Sequence, residues 1–143
     1  MPEPDAHTTV SQFVTYLSAL DVDGMVSCLS DDVVLELPAA PPGMPRKVVG
    51  VAAFRAFFAP VAELWDTFEL VDVEVHQSAH DAETVFLEYR SDARNGRGMS
   101  YANVYSSRAT VRDGRVVRFR EMFDAAPAAE LVALLGSSAR STS

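Results

Sequence analysis

ETVFLEYRSDARNGRGMSYANVYSSRATVRDGRVVRFREMFD, Glu83–Asp124, holds three runs of alternating polarity separated by two turn signals. The turns are Arg94-Asn95-Gly96-Arg97 and Arg112-Asp113-Gly114-Arg115. Asn-Gly and Asp-Gly tolerate the positive φ angles of tight hairpins, so the runs predict three adjacent antiparallel strands. The third run carries an acid, Glu121, among Phe119, Met122 and Phe123. A period of two puts Val117, Phe119, Glu121 and Phe123 on one face and Val116, Arg118, Arg120 and Met122 on the other. The face with two arginines suits solvent or a partner, which aims Glu121 at the apolar, concave side. Burial without a partner raises a carboxyl pKa toward the range useful for acid–base chemistry. The competing role for Glu121 is a structural strut paired with an arginine.

Working upstream, Phe68 to Gln77 alternates as a fourth, half-buried strand, with Val71, Val73 and Val75 on one face and Leu70, Asp72, Glu74 and His76 on the other. Ala6, Val10, Phe13, Val14, Leu17 and Leu20 follow helical spacing, with Asp5 or Thr8 as a cap. Asp21 to Leu29 predicts a second, short helix, and Val33–Leu37 a short strand. Pro38, Pro41, Pro42 and Pro45 make a stiff loop that cannot join a ladder. A third helix runs from near Gly50 to Trp65, kinked or restarted at Pro60. Downstream, Ala125 to Leu135 predicts a closing helix, and residues 137–143 have the composition of a disordered tail.

Helices first and a meander last is an α+β pattern. The expected fold is one domain, residues 5–136. A strongly bent antiparallel sheet wraps around three N-terminal helices to form a cone-shaped α+β barrel, too wide inside to fill completely.

The net charge of −8 and the lack of a basic stripe argue against binding nucleic acid through its phosphates. The single cysteine, Cys28, excludes an internal disulfide and a cysteine-based zinc site, and its apolar setting suggests inert core. His7, His76 and His80 and the scattered acids show no convincing metal spacing, and no cofactor is expected. No run of 18 apolar residues occurs, and MPEPDAH lacks a signal-peptide core, so the expected setting is cytoplasmic and off the membrane.

Several motifs resemble the nuclear transport factor 2-like superfamily, and within it the SnoaL-like polyketide cyclases. Asp21-Val22-Asp23-Gly24-Met25 followed by Leu29-Ser30-Asp31-Asp32-Val33 is similar to the family's second helix and short strand. Val49-Gly50-Val51 with Phe54 and Phe57-Phe58 resembles its "G-x-x-x-I-x-x-F" helix. Tyr101-Ala102-Asn103-Val104-Tyr105, Val111-Arg112-Asp113-Gly114-Arg115-Val116 and Arg120-Glu121-Met122-Phe123-Asp124 resemble "Y-x-N-x-Y … V-x-D-G-K-I … R-E-Y-x-D". The likeness spans about residues 6 to 135. It implies the cone fold, but this fold hosts many reactions. They include polyketide cyclisation, ketosteroid isomerisation, dehydration and limonene epoxide hydrolysis, and the phenazine-biosynthesis A/B proteins share it. Glu121 matches the last-strand acid of the phenazine proteins. Arg90-Ser91-Asp92 resembles the Arg-x-Asp of the epoxide hydrolases, whose water ligands fall near Val34 and Glu36 here. No histidine stands where the cyclases pair one with their acid.

From the residues alone, Arg90 and Asp92 share a strand face with Phe86 and Glu88. If that face is concave, they form an acid–base cluster with Glu121; otherwise they are a solvated charged face. Tyr101, Asn103 and Tyr105 share another face, either a pocket wall or a subunit interface. Tyr16, Trp65 and Phe58 sit on covering helices as core or pocket rim, and Phe119 and Phe123 flank Glu121. Glu36 is an edge charge or a second pocket acid. The expected function is cofactor-free acid–base catalysis by Glu121, assisted by Arg90 and Asp92. The substrate would be a small hydrophobic oxygenated metabolite, polyketide- or terpenoid-like, undergoing cyclisation, isomerisation or epoxide opening. The alternative is a non-catalytic ligand-binding or assembly module. Either is expected to be a homodimer, because the exposed sheet face leaves apolar side chains in water.

Overall fold

The computed structural model describes residues 2–141, with side chains to residue 136. Helix α1 (Ala6–Ser18) starts at Asp5, whose carboxylate accepts from Thr8 N, and α2 (Val22–Ser27) starts at Asp21, which accepts from Gly24 N. Strand β1 (Leu29–Glu36) follows, then the proline loop, a three-residue strand β2 (Lys47–Val49) and α3 (Val51–Leu64). The meander is β3 (Thr67–Gln77), β4 (Thr84–Arg94), β5 (Ser100–Arg112) and β6 (Arg115–Phe123), closed by α4 (Ala125–Ser141). The helix thus passes the expected end at Leu135. Of the expected tail, residues 142 and 143 lie outside the described residues.

The six strands form one curved, unclosed sheet in the order β2-β1-β6-β5-β4-β3. The fold is α+β, as expected, with one difference in the sheet. β1 lies parallel to β6, so only the meander and the β1–β2 pair are antiparallel. No hairpin joins β1 to β6; the long intervening chain leaves their relative direction free. The Asp113-Gly114 turn has φ of 54° and 75°, the two left-handed residues of a type I′ hairpin.

Two bulges change which residues point inward. On β3 the register shifts between Val71 and Glu74, where Asp72 is left-handed with φ 53°. Leu70 and Val75 therefore both pack on the core while Val73 is exposed, and the single Val71–Val73–Val75 inner face is not formed. A shift against β5 at Thr110/Val111 makes Val116, not Val117, the buried residue at the start of β6.

α3 runs without interruption through Pro60. One missing backbone hydrogen bond is tolerated there because packing of its apolar face holds the helix. Buried apolar side chains fill one end of the space under the curved sheet. Phe13 of α1 meets Phe119 at 5.3 Å and Phe54 at 6.4 Å, over Val85, Leu87, Ala109 and Val111. Burying each large apolar side chain contributes about 1.5–3 kcal/mol. Filling one end leaves the wide end, under α3 and α4, to form the cavity.

Candidate active site

At the wide end lies a cavity of about 840 Å³, walled by α3, α4, the proline loop and the sheet. Phe57, Phe58, Phe68, Leu131 and Phe123 make much of it apolar, and Glu121 is a charged group on its sheet wall. On β4 and β5 the odd-numbered residues face inward. Tyr89, Tyr105 and Phe123 are paired across β4, β5 and β6, and Leu87, Ser107 and Glu121 form the next rung. Glu121 therefore stands diagonally across β5 from Tyr89. Ser107 between them is small enough for the Tyr89 hydroxyl to pass over it and donate to Glu121 Oε2 at 3.2 Å.

Glu121 is half-buried, and its accessible part faces the cavity. Burial pushes its carboxyl up to about 7, against the Tyr89 hydroxyl, which pulls it down. Tyr89 itself is buried, and desolvation, reinforced by the neighbouring Glu121 charge, holds its hydroxyl well above the usual phenol value. Glu121 can thus exchange a proton near neutrality while Tyr89 remains a donor.

Next to this pair is a chain of hydroxyls. Ser91 Oγ and Tyr105 Oη lie 3.0 Å apart, and Tyr105 donates to Tyr101 Oη at 3.4 Å. Tyr105 also stacks on Tyr89, with ring centroids 4.9 Å apart. Asn103 is buried outside the cavity lining. Its Nδ2 donates to Tyr101 Oη at 2.8 Å and to Asp124 O at 3.0 Å. Its Oδ1 accepts from Val104 N and Asp124 N.

Of the residues singled out in the sequence, Glu121, Phe58, Tyr101, Tyr105 and Phe123 line the cavity together. Arg90 does not join them. It is exposed on the opposite face of β4 and its Nε donates to Asp72 at 3.0 Å. Asp92 shares that face, 3.7 Å from Arg94 Nε. The expected cluster with Glu121 fails because alternation along β4 turns Tyr89 and Ser91 inward, and therefore Arg90 and Asp92 outward. Trp65 is buried and stacks on Tyr101, but with Asp92 it lines a separate polar crevice of about 640 Å³. Tyr16 packs over Gly24 rather than on the cavity. Glu36 pairs with Arg118 at 3.0 Å and does not line the cavity; β1 lies between β2 and β6, so Glu36 is neither a pocket acid nor an edge charge. Phe119 belongs to the filled end.

Tyr89 escaped the sequence reading. The signal was present, since it shares a face with Val85 and Leu87, but nothing local shows that it meets an acid on a strand two positions away. Among the described residues no group of three or more histidine, cysteine or acidic side chains is placed to hold a metal ion. None of the described helices is long and apolar enough to cross a membrane.

The sequence profile of the SnoaL-like domain matches residues 10–119. The chain belongs to the SnoaL-like domain family. This SnoaL-like protein is 28% identical over 117 residues to YesE of Bacillus subtilis, an uncharacterised protein; the match covers 81% of this chain and 79% of YesE. A solved structure of a candidate isomerase from Bacillus subtilis matches with a TM-score of 0.72 at 27% identity, over 83% of this chain and 86% of that one. BvnE pinacolase from Penicillium brevicompactum matches with a TM-score of 0.74 at 17% identity, over 93% and 94%. At that identity the SnoaL-like chain shares its fold with BvnE, and the name pinacolase belongs to BvnE. The names of the two solved relatives are those of enzymes that convert small molecules.

Proposed function

We propose that this SnoaL-like protein is an acid–base enzyme acting, without a cofactor, on a small hydrophobic oxygenated molecule of polyketide- or terpenoid-like character. The observation that carries the reading is Glu121, a carboxyl raised to about 7, on the wall of an apolar cavity and oriented by Tyr89. In the carboxylate form it takes a proton from a carbon next to a carbonyl, leaving an enolate and a neutral acid. The acid then returns the proton to another atom, which isomerises the substrate, or to an oxygen after ring closure, which cyclises it. The apolar walls offer few side chains that would compete for that proton. Enzyme names among solved relatives support a converting role. With Arg90 and Asp92 facing outward, support for epoxide opening falls away.

The test uses 2-tetralone, a small enolisable ketone, and follows loss of its α-protons in D2O by NMR. The wild-type protein is expected to accelerate exchange, with the rate falling about 10²–10⁴-fold in Glu121→Gln. Equal rates in both proteins would leave a ligand-binding module as the better reading.

The same proposal takes the protein as a homodimer through the outer sheet face. There Phe86, Val104 and Met122 are exposed among charged residues. A sedimentation mass of one chain would count against it.

A further inference from the structure

The hydroxyl chain beside Glu121 has a direction, and the direction leaves one proton facing the cavity. Asn103 sets it. All four hydrogen-bonding positions of its amide are used, by Tyr101, Val104 and both the N–H and the carbonyl of Asp124, so its Nδ2 is locked toward the Tyr101 oxygen. Its backbone N–H donates to Ser91 Oγ at 3.2 Å. Ser91 is only 3% exposed, so its own proton is best satisfied by Tyr105. Tyr105 then donates to Tyr101.

Three hydroxyls joined by two bonds use two of their three protons. The third, on Tyr101, has no acceptor among the described residues, while its oxygen already receives two hydrogen bonds. Tyr101 lines the same cavity as Glu121. Each donor in such a chain polarises the next, so the last O–H is a stronger donor than an isolated phenol. Burial keeps the proton on the ring oxygen at neutral pH.

We propose that Tyr101 is a substrate-contacting donor that selects ligands bearing a carbonyl or oxyanion acceptor, with Tyr105, Ser91 and Asn103 as positioning residues behind it. This rests on the cavity being the substrate site and names the substrate class. The oxygen of an aryl or alicyclic ketone lies on the Tyr101 hydroxyl while the adjacent carbon is presented to Glu121. Negative charge that gathers on that oxygen as the proton leaves meets a fixed donor, which costs no reorganisation at that moment.

The experiment compares 2-acetylnaphthalene, which can only accept, with 2-isopropylnaphthalene, its hydrocarbon counterpart, by calorimetric titration of the full chain. Wild-type protein is expected to bind the ketone about tenfold more tightly than the hydrocarbon, the value of one net hydrogen bond. Tyr101→Phe should bind both alike, with hydrocarbon affinity unchanged. The infrared carbonyl band of the bound ketone should shift to lower frequency in wild type and return toward its free position in Tyr101→Phe. Tyr105→Phe, which keeps the donor but removes the group polarising it, should give a smaller shift and serves if Tyr101→Phe does not fold. Glu121→Gln should keep the shifted band while losing 2-tetralone exchange, so failure at Tyr101 and failure at Glu121 are read separately. An unshifted band in wild-type protein, or a band identical in wild type and both tyrosine variants, overturns the proposal. Failure of wild type to bind either compound overturns it together with the cavity as the site.

Discussion

Tyr89 on β4 donates to Glu121 on β6 across the whole width of β5, over the short side chain of Ser107. A carboxyl raised by burial and a phenol that remains protonated meet where neither strand's own neighbours would place them. The chemistry proposed for the cavity rests on that contact.

Stability should record the buried acid. The Glu121 carboxyl is raised from 4.5 to about 7 in the folded protein. Below pH 4.5 it is protonated in both folded and unfolded chains and imposes no penalty. As pH rises toward 7 the unfolded chain ionises first, and stability is lost; above 7 the loss levels off at roughly 3 kcal/mol. Glu121→Gln removes this dependence. Urea unfolding at pH 4 and pH 8 should show the variant gaining on wild type by roughly 3 kcal/mol between the two. A pH-independent difference would contradict the assigned burial.

If the Glu121 carboxylate is the base, the rate of 2-tetralone exchange should rise with pH and level off above about 7. The Tyr89 hydroxyl lowers that pKa, so Tyr89→Phe should move the inflection upward. A downward movement, or none, would mean that the hydroxyl does not stabilise the ionised acid.

Arg90→Ala and Asp92→Asn should leave exchange within about twofold of wild type and stability within about 0.5 kcal/mol, since both are partly exposed on the outer face. A loss of rate comparable to that of Glu121→Gln would place them at the site after all.

Gly24→Ala should destabilise without affecting chemistry. An added Cβ would stand 2.2–2.6 Å from the Tyr16 ring, which has to move. Thermal unfolding should show a cost of about 1–3 kcal/mol. The exchange rate of the folded protein should be unchanged, because Tyr16 does not line the cavity. A large change in rate with unaltered stability would link Tyr16 to the site.

The meander, its Asp113-Gly114 turn, the caps at Asp5 and Asp21 and the inward face of Glu121 were all legible along the chain, whereas the loop after β4 is longer than an Asn-Gly turn and places its left-handed residue at Gly98. Each depends on the period of a strand or helix, or on a turn's φ angles, and those are local properties. Tyr101 and Phe123 were reachable by the same alternation. Bulges were not. The one at Asp72 arises from the curvature β3 must adopt as an edge strand, and it put Val73 in solvent. Alternation also could not say which side of β4 is concave, so Arg90 and Asp92 remained conditional until the sheet bent.

Sequence alone therefore determined the order and type of most elements, though not the three-residue β2 or the start of β1 at Leu29, and the face on which Glu121 stands, because chain-local geometry dictates these. Only the tertiary structure decided that Tyr89 reaches Glu121, that Asn103 fixes the direction of the Ser91–Tyr105–Tyr101 chain, and that Arg90 faces away. Those contacts cross strands far apart in sequence, and their geometry is set by sheet curvature and register rather than by any residue's neighbours.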